Sequence, residues 1–71
     1  MSSEENFRRL GLSVIILEEK LEELKTYAQE MVRDKSKFNP DVLIEISNRL
    51  VSATYELNQS YESYKRDRPL H

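Results

Sequence analysis

The hydrophobic positions of the N-terminal half of the chain form a heptad stripe. Apolar side chains recur there at alternating intervals of three and four residues, a spacing that aligns them along one face of an α-helix. The members of the stripe are Phe7, Leu10, Val14, Leu17, Leu21, Leu24, Ala28 and Met31. We therefore expect a first helix over about residues 3–34, with this stripe as its buried face.

A second stripe follows a short break. Its members are Leu43, Ile46, Leu50, Ala53, Leu57, Ser60 and Tyr64. Asn39 suits a helix N-cap, Pro40 suits the first helical position, and Asp41 favours the positive end of the helix dipole. The pattern predicts a second helix over about residues 40–66, followed by a frayed tail at residues 67–71.

Two amphipathic helices joined by a turn at residues 35–39 hide their stripes by folding back on each other. The sequence thus predicts an all-α fold, an antiparallel two-helix hairpin similar to a coiled coil, as a single domain over residues 1–71. Such a short chain buries little surface alone. Further apolar residues lie off the predicted seam, and exposed apolar strips usually mark interfaces; they are Ile15, Ile16, Val32, Ile44, Val51 and Tyr55. We expect a homodimer packed as a four-helix bundle, with a surface for a different protein as the alternative or in addition.

Composition and charge narrow the function classes. The formal net charge is −2, so the chain has no overall basic field for nucleic acid. It has no cysteine, hence no disulfide, thiol nucleophile or thiolate metal site. The apolar run at residues 12–17 is too short to span a bilayer, and charged residues follow it where a signal peptide would be cleaved. We expect a soluble cytoplasmic protein without a nucleic-acid or membrane partner.

Few residues are candidates for chemistry. Glu18, Glu19, Glu22 and Glu23 form an acidic patch on the first helix, which we interpret as a solvated face because no histidine lies near it. His71, the only histidine, lies at the end of the chain. Gly11 is the only glycine, so no phosphate-binding loop exists; it marks either a close backbone approach or a tolerated weak point of the helix. We expect no metal site and no cofactor.

The segment from Asp41 to Val51 carries the one motif with functional content, D-V-L-I-E-I-S-N-R-L-V. A turn followed by a helix that opens with acidic-Val-Leu and reaches Ile-Ser-x-x-Leu resembles the small helical-hairpin aspartyl-phosphate phosphatases of the bacterial sporulation phosphorelay. The resemblance covers roughly residues 17–57 and is most specific over residues 41–50. It implies negative regulation of a response regulator, whose phosphorylated aspartate is the substrate of that family.

The family carries a Ser-Gln-Glu-Leu-Asp signature on its second helix. Ser47 matches the serine, Asn48 stands for the glutamine, and Arg49 stands for the glutamate with reversed charge. Leu50 matches the leucine, which faces the seam. Val51 replaces the aspartate that the family's activity is thought to need, and a valine cannot polarise a water or bind a metal ion. We therefore assign Ser47, Asn48, Arg49 and Val51 to partner binding and name no catalytic residue.

Three functions fit this pattern. We expect the first, a small bacterial regulatory protein that keeps the hairpin and the docking mode of the family but has lost hydrolysis. The second is an active aspartyl-phosphate phosphatase that uses another carboxylate near Ser47, such as Glu45 or Asp41. The third is an unrelated two-helix chaperone or adaptor subunit that grips a partner helix.

Overall fold

The computed structural model describes residues 3–67 as two long helices joined by a tight turn. Helix α1 spans Ser3–Arg33, a single 3-10 turn spans Lys35–Lys37, and helix α2 spans Pro40–Asp67. No strand occurs within residues 3–67, and the two helices contact each other along the hairpin. The all-α helical hairpin is confirmed. Asp67, expected in the tail, is the last residue of α2, and residues 68–71 lie outside the described part.

The turn is held by a side-chain cap on its 3-10 segment. The Asp34 carboxylate accepts hydrogen bonds from the backbone N–H and the hydroxyl of Ser36, at 3.1 and 2.8 Å. The backbone N–H of Asp34 donates to the carbonyl oxygen of Glu30 at 3.0 Å, which closes the last turn of α1. Asp34 thus ends one helix and starts the reversal, because its short side chain competes with the backbone for local donors.

Helix α2 begins as the sequence predicts, with Asn39 as its N-cap. The Asn39 side-chain oxygen accepts a hydrogen bond from the Asp41 N–H at 2.9 Å. Tyr27 of α1 adds a contact that the pattern does not reveal. Its hydroxyl accepts from the Asn39 N–H at 2.6 Å and donates to the Asn39 carbonyl oxygen at 3.0 Å. The start of α2 is therefore fastened to the side of α1.

The buried seam uses the predicted face of α2. Ile46, Ala53 and Ser60 are the buried members of its stripe, with Ser60 entirely inaccessible to solvent. These three residues recur every seven positions, and the half-buried Leu50 and Leu57 alternate with them. The heptad assignment of α2 is confirmed because the most buried residues follow the predicted period.

The predicted face of α1 is partly wrong. Leu10, Leu17 and Leu24 are half-buried as expected, but Phe7, Val14 and Leu21 are exposed. The seam instead includes the heptad column on the other side of the leucines, where Ser13 is buried and three residues are half-buried: Asn6, Lys20 and Tyr27. The buried face of α1 is therefore shifted by one heptad column, from the column of Val14 to the column of Ser13. Ser13 is small enough to lie against Ser60, and the Tyr27 hydroxyl bonds the backbone of Asn39.

Contacts between the helices define two unlike sides of the hairpin. On one side, Arg9 donates to the Ser63 hydroxyl at 3.4 Å and Arg49 pairs with Glu23 at 3.3 Å. We call these four residues the charged flank. On the other side of the leucine column lie Phe7, Val14 and Leu21, which we call the apolar flank. The ring of Phe7 lies 5.7 Å from the ring of Tyr64 on α2.

Gly11 lies within α1, four residues after Phe7 and three before Val14. A Cβ atom built at this position meets no atom within 4 Å. Within residues 3–67 no close approach of another part of the chain requires a glycine here. In the single hairpin Gly11 is therefore a weak point of the helix, which is the second of the two interpretations given above.

Candidate protein-binding site

The outer face of α2 presents an exposed strip that contains half of the motif. Ile44, Asn48, Val51 and Tyr55 follow one another at intervals of four, three and four residues, which aligns them on one side of the helix. All four are exposed, and Val51 reaches 64%. We call this set the outer strip. It brings together two of the predicted site residues, Asn48 and Val51, with two apolar neighbours.

The other two predicted residues lie elsewhere. Ser47 is half-buried at the edge of the seam, next to the half-buried Leu50. Arg49 belongs to the charged flank, and its guanidinium reaches Glu23 on α1. The four predicted residues therefore divide among three surroundings, because consecutive residues of a helix are about 100° apart around its axis.

Arg49 ties the two helices together. Its Nη1 lies 3.3 Å from Oε2 of Glu45, one turn earlier on α2, and its Nη2 lies 3.3 Å from Oε1 of Glu23 on α1. These side chains are 44–69% exposed, so each pair contributes roughly 0–1 kcal/mol. A partner that used Arg49 would have to compete with two carboxylates of the same chain.

The contact with Glu23 is not predicted by the sequence pattern, which assigns this residue only to a solvated acidic patch. The signal was present in the antiparallel register, which brings the middle of α1 opposite the first half of α2. Arg49, which stands where the family signature has a glutamate, therefore finds an oppositely charged partner within the hairpin. Lys20 approaches the same carboxylate group, with its Nζ 3.8 Å from Oε2 of Glu23.

A shallow depression of about 480 Å³ adjoins the outer strip. Its lining includes Asp41 and Glu45, the two carboxylates that the phosphatase alternative would use, together with Ile44, Asn48 and Arg49. Ser47 and Val51 are not among its lining residues. The carboxylate of Glu45 bonds Arg49, and Asp41 lines the depression without Ser47 or Val51, so this depression does not gather a carboxylate, Ser47 and position 51 around one point.

Neither a metal-binding cluster nor a membrane-spanning helix is found in the part of the chain that the structure describes. Within residues 3–67 no group of three histidine, cysteine, aspartate or glutamate side chains could hold a metal ion. None of the helices described is long and apolar enough to cross a membrane. His71 lies outside the described residues.

Comparison with protein-family models, curated proteins and solved structures finds no match to this chain. The resemblance to the sporulation phosphatases consequently rests on the motif residues alone and stays a prediction.

Proposed function

We propose that this chain is a small regulatory protein that acts by protein–protein contact and binds a response regulator through the outer strip. The observation that carries the proposal is the exposure of that strip. Ile44, Val51 and Tyr55 are 59%, 64% and 62% exposed on one side of α2, although each is apolar or aromatic. Exposed apolar strips of this kind are typical of sites for another protein.

The chemistry of the strip suits binding. Full burial of a valine or isoleucine side chain against a partner stabilises a complex by roughly 1.5–3 kcal/mol each. Tyr55 adds the residue type most enriched, with tryptophan and arginine, at the energetic centres of interfaces. Asn48 places two donors and an acceptor within this apolar surface and can fix the orientation of the partner. A helix with anchors at these spacings commonly docks into a groove of its target.

The same strip offers little for hydrolysis. Position 51, where the resembled family has its aspartate, carries a valine side chain that has neither a proton to move nor a lone pair to donate. The neighbouring Glu45 is engaged by Arg49, and Asp41 lies ten residues before position 51, about 15 Å along the helix. We therefore propose that the regulator acts by occupying its partner, and that the partner keeps its phosphoryl group.

The first experiment measures binding and phosphate loss together. Purified sporulation-type response regulators, phosphorylated and unphosphorylated, are titrated with this protein by calorimetry, and the rate of phosphate loss is followed in parallel. We expect binding without acceleration. Acceleration would support the phosphatase alternative through Asp41 or Glu45, and absence of binding to either form would remove the response regulator as partner.

Two variants locate the binding surface. Val51→Lys places a charge at the centre of the outer strip, and we expect at least a tenfold loss of affinity because burying an unpaired charge is costly. Val32→Lys is the matched control, since Val32 is also an exposed helical valine, at 81%, but lies near the end of α1. Equal losses for the two variants would contradict binding through the outer strip.

A third variant tests the resemblance itself. Val51→Asp restores the acidic residue of the family signature at an exposed position where it costs the fold little. Phosphate loss that appears in this variant, and not in Val51→Asn, would support a phosphatase scaffold that has lost its catalytic carboxylate. If both variants stay inactive while the wild type binds, the protein is a binding hairpin, and the resemblance to the phosphatases does not extend to their catalytic activity.

A further inference from the structure

We propose that the apolar flank of α1 is the interface of a homodimer, in which two copies of the chain pack side by side around a two-fold axis. The interface centres on Val14 and Leu21, with Phe7 toward its edge. This inference goes beyond the proposed function because it concerns a different helix, and its occupant is a second copy rather than a regulatory partner.

The first argument is the width of the apolar face on α1. A helix that has only one neighbour needs a narrow stripe, whereas a helix in a bundle has a wider face with a third apolar column. The leucine column of α1 has the seam on one side and the apolar flank on the other. Val14 and Leu21 are 49% and 53% exposed although they directly adjoin the half-buried Leu17. The apolar face of α1 is wide enough for two neighbours, and α2 is only one.

The second argument is the exposed area. The chain exposes 5657 Å², whereas a compact monomer of 8.5 kDa exposes about 4,700 Å² by the usual scaling with mass. The excess of about 1,000 Å² compares with the roughly 600–1,000 Å² that each partner contributes to a standard interface. A second hairpin laid along the long side of the 53 × 18 × 15 Å molecule can remove an area of this size.

The third argument is charge. A two-fold axis places a surface against its own copy, so every charge near the axis meets its equivalent. Phe7, Val14 and Leu21 are uncharged, and the positions of α2 on the same side of the hairpin include the uncharged Thr54 and Tyr61. Glu18 and Lys25 border the flank on the outer side of α1, so the nearest charges lie at its edge and are of both signs. The charged flank lies on the opposite side, where Glu23 and Arg49 already pair within the chain. Of the two sides, the apolar flank is therefore the one suited to self-association.

Sedimentation equilibrium of wild type and two leucine variants tests the proposal. We expect a mass of about 17 kDa for the wild type, twice the 8.5 kDa of one chain. Leu21→Lys should reduce the mass to that of a monomer at the same concentration. Leu12→Lys is a matched control, because Leu12 and Leu21 are both 53% exposed leucines of α1 and Leu12 lies on the far side of the helix. A monomeric wild type, or dissociation by Leu12→Lys and not by Leu21→Lys, would overturn the proposal.

A measurement on the wild type covers the case in which Leu21→Lys fails to fold, as judged by its circular dichroism. Methyl resonances are followed by NMR while the protein is diluted. We expect the Val14 and Leu21 methyl groups to shift with concentration and the Leu12 methyl groups to stay constant. The reverse pattern, or no concentration dependence at any methyl group, would show that the apolar flank is not the interface. A folded Leu21→Lys monomer that still binds the response regulator separates this interface from the outer strip.

Discussion

The hydroxyl oxygens of Ser13 and Ser60 lie 2.8 Å apart, in the seam between the two helices. Ser13 also donates to the carbonyl oxygen of Arg9 at 3.0 Å. Since a hydroxyl has a single proton, Ser60 is the donor in the pair and Ser13 the acceptor. Ser60 is completely buried, so a shift of either helix along the other would separate its hydroxyl from that of Ser13 without exposing it to water. The pair therefore favours one register of the hairpin.

The two serines should respond unequally to alanine substitution. Ser13→Ala removes the acceptor of a buried hydroxyl, and we expect it to lower the free energy of unfolding by about 1–3 kcal/mol. Ser60→Ala leaves Ser13 bonded to Arg9 and should cost less, about 0.5–1.5 kcal/mol. Urea denaturation of both variants at one protein concentration measures the difference.

The double variant completes the cycle. Ser13→Ala/Ser60→Ala leaves no hydroxyl in the seam, and we expect its stability to equal or exceed that of Ser13→Ala alone, because replacing both partners removes the unsatisfied group. Costs that simply add would contradict a direct bond between the two hydroxyls and would assign both effects to packing.

Tyr27→Phe should loosen the start of α2. The change removes only the hydroxyl, which makes two hydrogen bonds to the backbone of Asn39. We expect the free energy of unfolding to fall by about 1–2 kcal/mol, and amide exchange to rise at the first turn of α2. Tyr55→Phe is the control, since Tyr55 is 62% exposed on the outer strip. Equal stability changes in the two variants would contradict a fastening role for Tyr27.

Much of the fold could be read from the sequence, but the side of α1 that faces α2 could not. On α2 the heptad stripe is flanked by polar positions except along the outer strip, which Asn48 interrupts, so the buried residues Ile46 and Ala53 follow directly from the pattern. On α1 the leucine column has an apolar column on one side and a polar one on the other. Hydrophobicity favours Val14 for the seam, yet the seam takes Ser13. That choice depends on the hydroxyl of Ser60 in the other helix, which a pattern in one helix cannot show.

The candidate site was predictable only in part, for a related reason. The motif identifies positions 47–51, and helical spacing predicts that Asn48 and Val51 lie near Ile44 and Tyr55. The direction of the Arg49 side chain depends on its ion pair with Glu23, which lies 26 residues earlier in the chain within a run of similar glutamates. Nothing local distinguishes Glu23 from its neighbours before the register of the two helices is known.

The ion pairs of Arg49 should contribute little and depend on salt. We expect Arg49→Ala to lower the free energy of unfolding by less than about 1 kcal/mol, because both pairs are exposed. Arg49→Glu should cost more, since it gathers a third carboxylate beside Glu23 and Glu45. Raising the salt concentration to 1 M shortens the screening length to about 3 Å and should bring the two variants together. Denaturation of both variants at low and high salt makes the comparison. If the difference between their free energies of unfolding does not change with salt, the cause is lost packing of the arginine stem rather than charge.

Gly11→Ala should stabilise the hairpin. The added Cβ meets no atom within 4 Å, and Gly11 lies inside α1 where alanine is favoured over glycine by roughly 0.5–1 kcal/mol. Denaturation at the lowest workable protein concentration measures this gain with self-association suppressed. Gly11 also borders the apolar flank between Phe7 and Val14. The stability of the same variant at high protein concentration therefore shows whether a second chain packs against this part of α1. A gain at low concentration that disappears at high concentration would mean that a second chain comes close to the glycine, whereas a loss at both would contradict the open surroundings of Gly11 in the single hairpin.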